Sequence, residues 1–464
     1  MNILVDIISG YSKVLLVYFF VISIVYIILI ILSSRQLRDF IKTINNDVTI
    51  ISKYTKPISI IVPAYDEEVT IIDNITCLLE LDYPEFEIIV VNDGSNDNTL
   101  SKIIEYFKLR EIDANINMKV KCQKIKGVYS SFATSNLVLI DKENGGKSDA
   151  LNARINISRY PLFCGVDADC IIEKDALLRI VKPFLKYEKT IAVGGIVRIA
   201  NGSTIRDGKL VKTKLPKELI VKFQIIEYFR AFLTSRIEWE RINALLIVSG
   251  AFGVFKKSAV MKVGGYSATI GEDMELTLKM HEYFRKNKIK YKIDFASDAV
   301  CWTQSPNTLK GLKSQRIRWH RGLTDSFLRH RKMIFNPKYG AVGLLAVPYF
   351  ILVEMLGPII ESIGYIMLIV SIITGTLSRF SIIIFLMAFL YGILFSLAAI
   401  LSEQFSYKKY SNVKEITELV INSFFEQFIY RQITVWWRVT SFFNFKKGSK
   451  QWGTIKRNVF DKEI

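Results

Sequence analysis

The sequence predicts an α/β domain with parallel strands, attached to membrane-embedded helices, and three observations carry this prediction. Apolar residues make up 50% of the 464 residues, and they gather in long blocks near the N-terminus and across the last third. Between the blocks, short β-branched strands alternate with a helical pattern. Acidic and glycine-rich clusters follow those strands, at the sheet edge where open α/β folds bind ligands.

The charge and the metal-binding residue types limit the possible partners. A formal net charge of +18 would suit nucleic acid, but no nucleic-acid motif accompanies it. The basic residues lie largely beside the apolar blocks, as cytoplasmic flanks facing anionic lipid do. Five cysteines without a CxxC pair indicate free thiols in a reducing compartment, and three histidines without ligand spacing do not suit a zinc site. We therefore expect a lipid membrane, and no nucleic acid, as partner.

The first apolar block runs from Val14 to Leu32, close to the roughly 20 residues that span a bilayer as a helix. Arg35, Arg38 and Lys42 follow it, and little charge precedes it. Because positive flanks stay in the cytoplasm, we expect the N-terminus to lie outside the cell and the domain after this span to lie in the cytoplasm, anchored to the cell membrane. No cleavage pattern follows the block, so we expect it to remain in the mature protein.

From Lys56 to about Ala200 the pattern is that of a soluble α/β domain. A helical pattern over Glu67 to Leu81 separates the first two strands, and strand, helix, strand implies a parallel sheet. The predicted strands are Ile58 to Val62, Glu87 to Val91, Leu137 to Ile140 and Phe163 to Val166.

The following segments connect this domain to the membrane. Asn201 to Glu218 is polar and lysine-rich, which predicts a mobile surface loop. Leu219 to Trp239 predicts an aromatic-rich helix on the membrane surface, and Leu246 to Phe255 a buried strand and turn. Leu309 to His330 predicts a basic amphipathic helix, whose apolar stripe consists of Leu312, Trp319, Leu323 and Phe327.

Long apolar regions follow in the last third. Ala341 to Thr374 is too long for one straight helix and contains two prolines, so it is either one broken span or a re-entrant pair. Phe380 to Leu401 predicts one span. Ile416 to Phe443 carries Glu426 and Arg431, so it lies in the interface or faces a polar interior.

These elements divide the chain into five segments. We expect a first span with its linker, a cytoplasmic α/β domain that includes the helix at about 219–239, an amphipathic interface helix, C-terminal membrane and interfacial helices, and a basic cytoplasmic tail. Their bounds are 1–50, 51–305, 306–338, 339–445 and 446–464.

Asp167 and Asp169 directly follow a predicted strand. Alternate positions on an extended segment point to the same side, and paired carboxylates suit Mg²⁺ or Mn²⁺, which prefer hard oxygen ligands and share phosphate. A solvated turn is the alternative for an isolated Asp-x-Asp. The neighbouring motifs favour the metal site.

Two motifs suit a nucleotide. Asp93 follows the second strand, where a carboxylate can accept hydrogen bonds from a nucleoside. The Asn-Asp-Gly sequence around it also makes an ordinary turn. In Asn144 to Asn152, two glycines allow close approach of a ligand and a helix begins directly afterwards. Lys147 lies in this segment and can meet a phosphate.

The segment Gly271-Glu-Asp273 opens a predicted helix. Acidic residues favour helix N-termini, so helix capping is one interpretation, and a general base near an acceptor hydroxyl is the other. Glu272 or Glu275 could cap the helix, which would leave Asp273 as the base.

The segment Gln315 to Trp319 lies on the basic amphipathic helix. Its arginines could anchor the helix to lipid, but Arg318 can also stabilise a leaving diphosphate. Trp319 offers a flat face for a sugar ring, and Gln315 supplies polar contacts one turn away.

In this order, between membrane blocks placed this way, the motifs resemble those of the processive family 2 glycosyltransferases, which include cellulose, hyaluronan and poly-N-acetylglucosamine synthases. The resemblance covers Ile58 to Gly322 and, in membrane layout, extends to the C-terminus. It implies a Rossmann-like domain of GT-A type, a UDP-sugar donor, a growing polysaccharide as acceptor, and inverting transfer that gives a β-linked product coupled to export.

The resemblance also implies residue roles. Asp273 matches the catalytic base, and Asp169, supported by Asp167, matches the metal ligand. The implied nucleotide contacts are Ala64, Tyr65, Asp66, Glu68, Asp93, Lys147, Asp167, Gln315 and Arg318. The implied acceptor contacts are Ser249, Gly250, Ala251, Phe252, Glu272 and Trp319. Asp66 stands where Asn is usual, and Gly271 where Thr is commoner.

Two other functions compete with this interpretation. A non-processive transferase would add one sugar to a lipid carrier, but such an enzyme needs neither the Gln315 to Trp319 motif nor several C-terminal apolar regions. A channel or scaffold with an inactive domain would not need acidic residues at every matched position.

Overall fold

The computed structural model describes residues 6, 8–25, 27, 55–113, 118–206, 209–407, 409–410 and 412–443. Its strands are β1 Ile58–Ala64, β2 Phe86–Asn92, β3 Arg110–Glu111, β4 Ile125–Ser130, β5 Leu137–Lys142, β6 Leu162–Val166, β7 Cys170–Ile172, β8 Thr190–Ile199, β9 Thr204–Arg206, β10 Lys209–Lys212, β11 Phe252–Lys256 and β12 Lys292–Thr303.

The helices follow the apolar and amphipathic patterns of the sequence. They are α1 Ile8–Val25, α2 Ile71–Leu79, α3 Thr99–Phe107, α4 Lys147–Ile157, α5 Ala176–Lys186, α6 Leu219–Phe229, α7 Arg236–Arg241, α8 Lys257–Lys262, α9 Glu272–Lys286, α10 Leu309–Arg329, α11 Val347–Tyr349, α12 Gly357–Ile373, α13 Arg379–Ser406, α14 Val413–Phe425 and α15 Arg431–Phe443. π-Helical turns occupy Arg230–Ser235, Val342–Ala346, Phe350–Met355 and Glu426–Tyr430, and 3₁₀ turns occupy Arg331–Met333 and Pro337–Tyr339.

The central sheet has ten strands in the order β3-β4-β5-β2-β1-β6-β11-β8-β12-β7. As predicted, β5, β2, β1 and β6 are parallel, with Ile58 opposite both Phe86 and Leu162. The expectation of a parallel sheet is nevertheless wrong for the whole sheet. Strand β4 runs antiparallel to β3 and β5, β11 runs antiparallel to β6 and β8, and β7 runs antiparallel to β12. Strand β11 follows α6 and α7 in the sequence. The βαβ pattern in the first half of the chain therefore could not predict it.

Apolar side chains cover both faces of this sheet. Every residue of β1 and β8 is buried, as expected for strands packed on two sides. One large core cluster includes β1, β2, α2 and α5, and a second large cluster joins β8, α6 and the start of the C-terminal helices. The ends of β1, β2 and β6 are therefore held rigidly, and the polar loops that follow them are positioned by a packed scaffold.

Two segments between the sheet and the C-terminal helices differ from expectation. Instead of a loop throughout Asn201 to Glu218, β9 and β10 pair as an antiparallel hairpin. The helix from Leu219 is as predicted, but it is not a surface helix, because Val221, Gln224 and Ile226 are all 0% exposed. Its residues are apolar nearly all round, which is typical of a buried helix.

Among the described residues, three helices are long and apolar enough to cross a membrane: Ile8–Val25, Val342–Ile373 and Arg379–Ser406. The first begins before the predicted Val14, and the rest of that predicted span lies largely outside the described residues, as do the basic flank after it and the tail 446–464. The second is one continuous helical segment, as the broken-span alternative requires, and its crossing of the membrane stays a prediction. Its two π-helical turns and a bend at Leu356 lie beside prolines, a known cause of kinks.

Ion pairs join the α/β domain to the C-terminal helices and also join those helices to one another. Arg198 on β8 lies 2.8 Å from Glu403 on α13, and Arg230 donates to both carboxylate oxygens of Glu426 at 2.5 Å. Arg431 pairs with Glu361 of α12 at 2.7 Å. The charges of the Ile416 to Phe443 region therefore face a polar interior, which was one of the two predicted arrangements.

Candidate active site

The carboxylate of Asp93 organises the glycine turn that precedes α4. It is 4% exposed, forms an ion pair with the buried Lys142, and accepts hydrogen bonds from the amides of Gly145 at 3.1 Å and Gly146 at 2.8 Å. Burial raises the pKa of Asp93, and Lys142 opposes this shift. The contact of Asp93 with a nucleoside stays a prediction. Sequence reasoning missed Lys142, whose only signal was a lysine at a strand end.

The loops after β1 and β2 are joined by side-chain hydrogen bonds. The Asn96 amide donates to Asp66 at 2.7 Å, and its side chain donates to the Tyr65 hydroxyl at 3.0 Å. The Asn98 amide donates to Glu68 at 3.3 Å. The structure therefore brings together these predicted nucleotide contacts at one sheet edge. Ala64, by contrast, is 0% exposed and its carbonyl accepts from the Asp93 amide at 2.9 Å, so the predicted contact of Ala64 with the nucleotide does not fit the structure.

Lys147, at the start of α4, connects two acidic motifs that are far apart in sequence. Its ammonium group lies 2.7 Å from Asp167 and 3.2 Å from Glu272. Burial acts to lower the pKa of Lys147, but the two carboxylates outweigh it and raise the pKa. The predicted phosphate-binding, metal-binding and catalytic motifs therefore meet at one point.

Asp167 and Asp169 lie in the turn between β6 and β7. One oxygen of each and the sulfur of Cys170 lie within 4.8 Å of one another. Both carboxylates are half-buried, whereas Cys170 is 1% exposed. Two accessible oxygen donors at this spacing fit a hard divalent cation, and the buried thiol, a soft donor, adds nothing to that preference.

Asp273 is oriented by two backbone amides. The Met274 amide donates to its Oδ1 at 2.8 Å, and the Gly250 amide lies 3.4 Å from its Oδ2. Lys147 forms ion pairs with Asp167 and Glu272, and the charge of Asp273 also contributes to raising the pKa of Lys147. A Cβ at Gly250 would lie 3.3 Å from the Lys147 ammonium and 3.7 Å from the Cβ of Asp273. The absence of a side chain at Gly250 therefore lets Lys147 and Asp273 lie close to this backbone.

The segment before Phe252 lies at the site, but Phe252 itself does not. Ser249, Gly250 and Ala251 are half-buried, and their contact with an acceptor stays a prediction. Phe252 is 0% exposed, so the predicted contact of its side chain with an acceptor does not fit the structure. The strand begins only at Phe252, not at Leu246, so the preceding residues form a loop at the site.

Arg236, at the start of α7, is a site residue that sequence reasoning missed. Its guanidinium carbon lies 3.8 Å from the Phe232 ring centre, and its buried Nη1 has no hydrogen-bond partner among the described residues. Burial lowers the pKa of Arg236 to about 10, against the opposing charge of Asp273. The sequence held no signal for this, because an arginine in an aromatic-rich helix also suits a membrane surface.

The helix α10 crosses the start of α9 at two glycines. A Cβ on Gly271 would lie 2.8 Å from the Cα of Gly322, so the backbones are in direct contact. Trp319 is 44% exposed, whereas Gln315 is 9% exposed. Within the described ranges, no hydrogen bond or ion pair joins Gln315 or Arg318 to the Lys147 cluster, so their contacts with the donor stay predictions.

Comparison with known proteins agrees with this architecture. Residues 59–263 match glycosyl transferase family 2, and residues 165–396 match glycosyl transferase family group 2. The second match covers half of the chain. This chain belongs to the family 2 glycosyltransferases.

Curated relatives and a solved structure are similar to the chain over different lengths. The poly-beta-1,6-N-acetyl-D-glucosamine synthase of Staphylococcus epidermidis is 33% identical over 274 residues, which are 59% of this chain and 56% of the relative. That of Staphylococcus aureus strain COL is 32% identical over 274 residues, with the same shares of 59% and 56%. The alignment therefore spans little more than half the length of these relatives.

Among solved structures, the mannosyltransferase PcManGT from Pyrobaculum calidifontis, in complex with GDP-Man and Mn²⁺, superposes with a TM-score of 0.54 at 18% identity. The superposition covers 91% of this chain and 99% of that one. This likeness confirms the predicted GT-A type fold.

Proposed function

We propose that this protein polymerises a β-linked polysaccharide from a UDP-sugar at the cytoplasmic face of the cell membrane and passes the product outward. The proposed donor is UDP-N-acetylglucosamine, supported by the names of the staphylococcal relatives, with UDP-glucose as the second candidate. The observation that carries the proposal is the single cluster in which Lys147 joins Asp167 to Glu272 beside Asp273.

Different residues of the cluster have different roles in inverting transfer. Asp273, oriented by the Gly250 and Met274 amides, takes the proton from the acceptor hydroxyl as that oxygen attacks the donor sugar. Lys147 and Arg318 supply positive charge for the departing diphosphate. Glu272 helps to hold Lys147 in place beside Asp273.

Asp169 and Asp167 would hold the divalent cation. Their half-buried oxygen donors fit Mg²⁺ or Mn²⁺, and such an ion, when bound, neutralises charge on the diphosphate. Removal of the Asp169 carboxylate is therefore expected to abolish transfer in folded protein.

The experiment uses the full-length protein in lipid, incubated with each UDP-sugar separately. Polymer digestible by a linkage-specific hydrolase is expected with one donor, and Asp169→Ala or excess chelator should abolish it. Asp175→Ala is the matched control, because Asp175 pairs with Arg179 at 2.5 Å outside the site. A single sugar added to a lipid carrier would establish the non-processive alternative, and full activity in excess chelator would refute the metal site.

A further inference from the structure

A buried arginine lies against one face of Trp319. The Arg316 guanidinium carbon is 4.5 Å from the centre of the Trp319 ring. Arg316 is 1% exposed, whereas Trp319 is 44% exposed. One face of the indole is therefore covered by a cation, an attractive arrangement for an aromatic ring, while much of the side chain stays accessible to a ligand.

Two other side chains, the half-buried Glu227 and the buried Tyr430, hold Arg316. Its Nη2 donates to Glu227 on α6 at 2.6 Å and to the hydroxyl of Tyr430 at 3.1 Å. The same hydroxyl donates to Glu227 at 2.8 Å. These three side chains, called the Arg316 triangle below, join α6, α10 and the π-helical turn before α15.

The triangle is packed as well as hydrogen-bonded. Tyr430 is 5% exposed, and its ring centre lies 5.3 Å from that of Phe223 on α6. A hydroxyl in such a place has little freedom, so its two hydrogen bonds define where the guanidinium lies. Since the guanidinium carbon lies over the indole, 4.5 Å from the ring centre, its position in turn restricts the orientation of the Trp319 ring.

We propose that Tyr430 and Arg316 are positioning residues that hold the Trp319 ring for stacking with the acceptor chain and thereby set the length of the polymer. This inference rests on the proposed function, in which Trp319 stacks on the acceptor sugar. A well-oriented ring retains the nascent chain between additions. A ring that loses its support releases the chain earlier, although the donor site is unchanged.

The decisive variant is Tyr430→Phe, which removes one hydroxyl and keeps the ring. Mean polymer length is expected to fall about 2- to 10-fold, the range expected when one orienting hydrogen bond is lost. Donor KM and the rate of donor hydrolysis should stay within about twofold of wild type. Tyr365→Phe is the matched control, because the Tyr365 hydroxyl contacts Gln432 at 3.4 Å on another pair of helices.

Arg316→Lys provides a second test, since lysine keeps the charge without the planar fork. Arg438 also lies 3.6 Å from Glu227, so this carboxylate keeps a cation in the variant. Shortened polymer with normal donor KM is expected here too. In a Trp319→Ala background, Tyr430→Phe should cause no further change, because it acts through the indole.

Three outcomes would overturn the inference: unchanged polymer length in folded Tyr430→Phe, an equal shortening in Tyr365→Phe, or an additive effect in the Trp319→Ala background. A wild-type protein that makes polymer in those experiments leaves the proposed function standing, so the two claims fail separately. Wild-type protein that makes no polymer contradicts both.

Discussion

The contact between Gly322 and Gly271 predicts that one added methyl group will impair catalysis. In Gly322→Ala, the new Cβ would lie 2.8 Å from the Cα of Gly271, whereas ordinary contacts begin near 3.4 Å. Both neighbours are backbone, so α10 must move away from α9 by about 0.6 Å. Asp273 lies two residues beyond Gly271, and Trp319 lies one turn before Gly322, so the change separates the proposed base from the ring proposed to stack on the acceptor.

The expected magnitude follows from two opposing effects. Gly→Ala in a helix gains about 1 kcal/mol of helix propensity, while overpacking costs about 1–3 kcal/mol, so stability should change by no more than about 2 kcal/mol. Because a misplacement of about 1 Å can cost roughly 100-fold in rate, the shift should reduce polymer formation about tenfold.

Polymer yield, donor affinity and thermal unfolding are measured for Gly322→Ala and for Gly10→Ala as control. A Cβ at Gly10 has no neighbour within 4 Å, so that variant should retain full activity. Wild-type polymer yield from Gly322→Ala would refute the claim that this crossing sets the geometry of the site.

Two further predictions concern stability. Arg198 and Glu403 are 3% and 0% exposed, so Arg198→Met should destabilise the protein by about 3–5 kcal/mol, because it leaves a buried unpaired carboxylate. Adding Glu403→Leu should restore most of the lost stability. Thermal unfolding equal to wild type in the single variant would contradict the pairing. Burial opposes the charged form of His330, but Glu275 and Glu282 outweigh it and raise the pKa of His330. The stability contributed by protonated His330 should be fully present below its unfolded-state pKa of about 6.5, and it should be lost as the pH rises through its folded-state pKa. The excess Tm of wild type over His330→Gln should therefore shrink as the pH rises above about 6.5, and a constant difference would contradict this prediction.

The strands that carry the site could be predicted because local pattern decides them. Each β-branched run, such as Ile58 to Val62, ends in turn residues, and the structure extends it by only one or two positions. The convergence of Lys147, Asp167 and Asp273 followed from their places after strands and at helix starts, since strand ends share one sheet edge.

What could not be predicted depends on contacts between distant residues. The antiparallel β11 and the burial of Phe252 are decided by neighbouring strands, not by the local pattern. Lys142 and Arg236 resemble ordinary surface cations in the sequence, and only packing shows that one holds Asp93 and the other lies near Asp273. The burial of α6 had a signal in its nearly continuous apolar residues, which the charged residues beside them obscured.

The assignment of Asp273 as the base is tested most directly by Asp273→Asn in full-length protein in lipid. Asp325→Asn is the matched control, since Asp325 accepts from Thr269 at 2.6 Å and has no assigned part in transfer. Donor affinity of Asp273→Asn should stay near wild type, while polymer formation should fall about 10²- to 10⁴-fold. Polymer formation near the wild-type rate, or loss of donor binding in folded Asp273→Asn, would contradict the assignment.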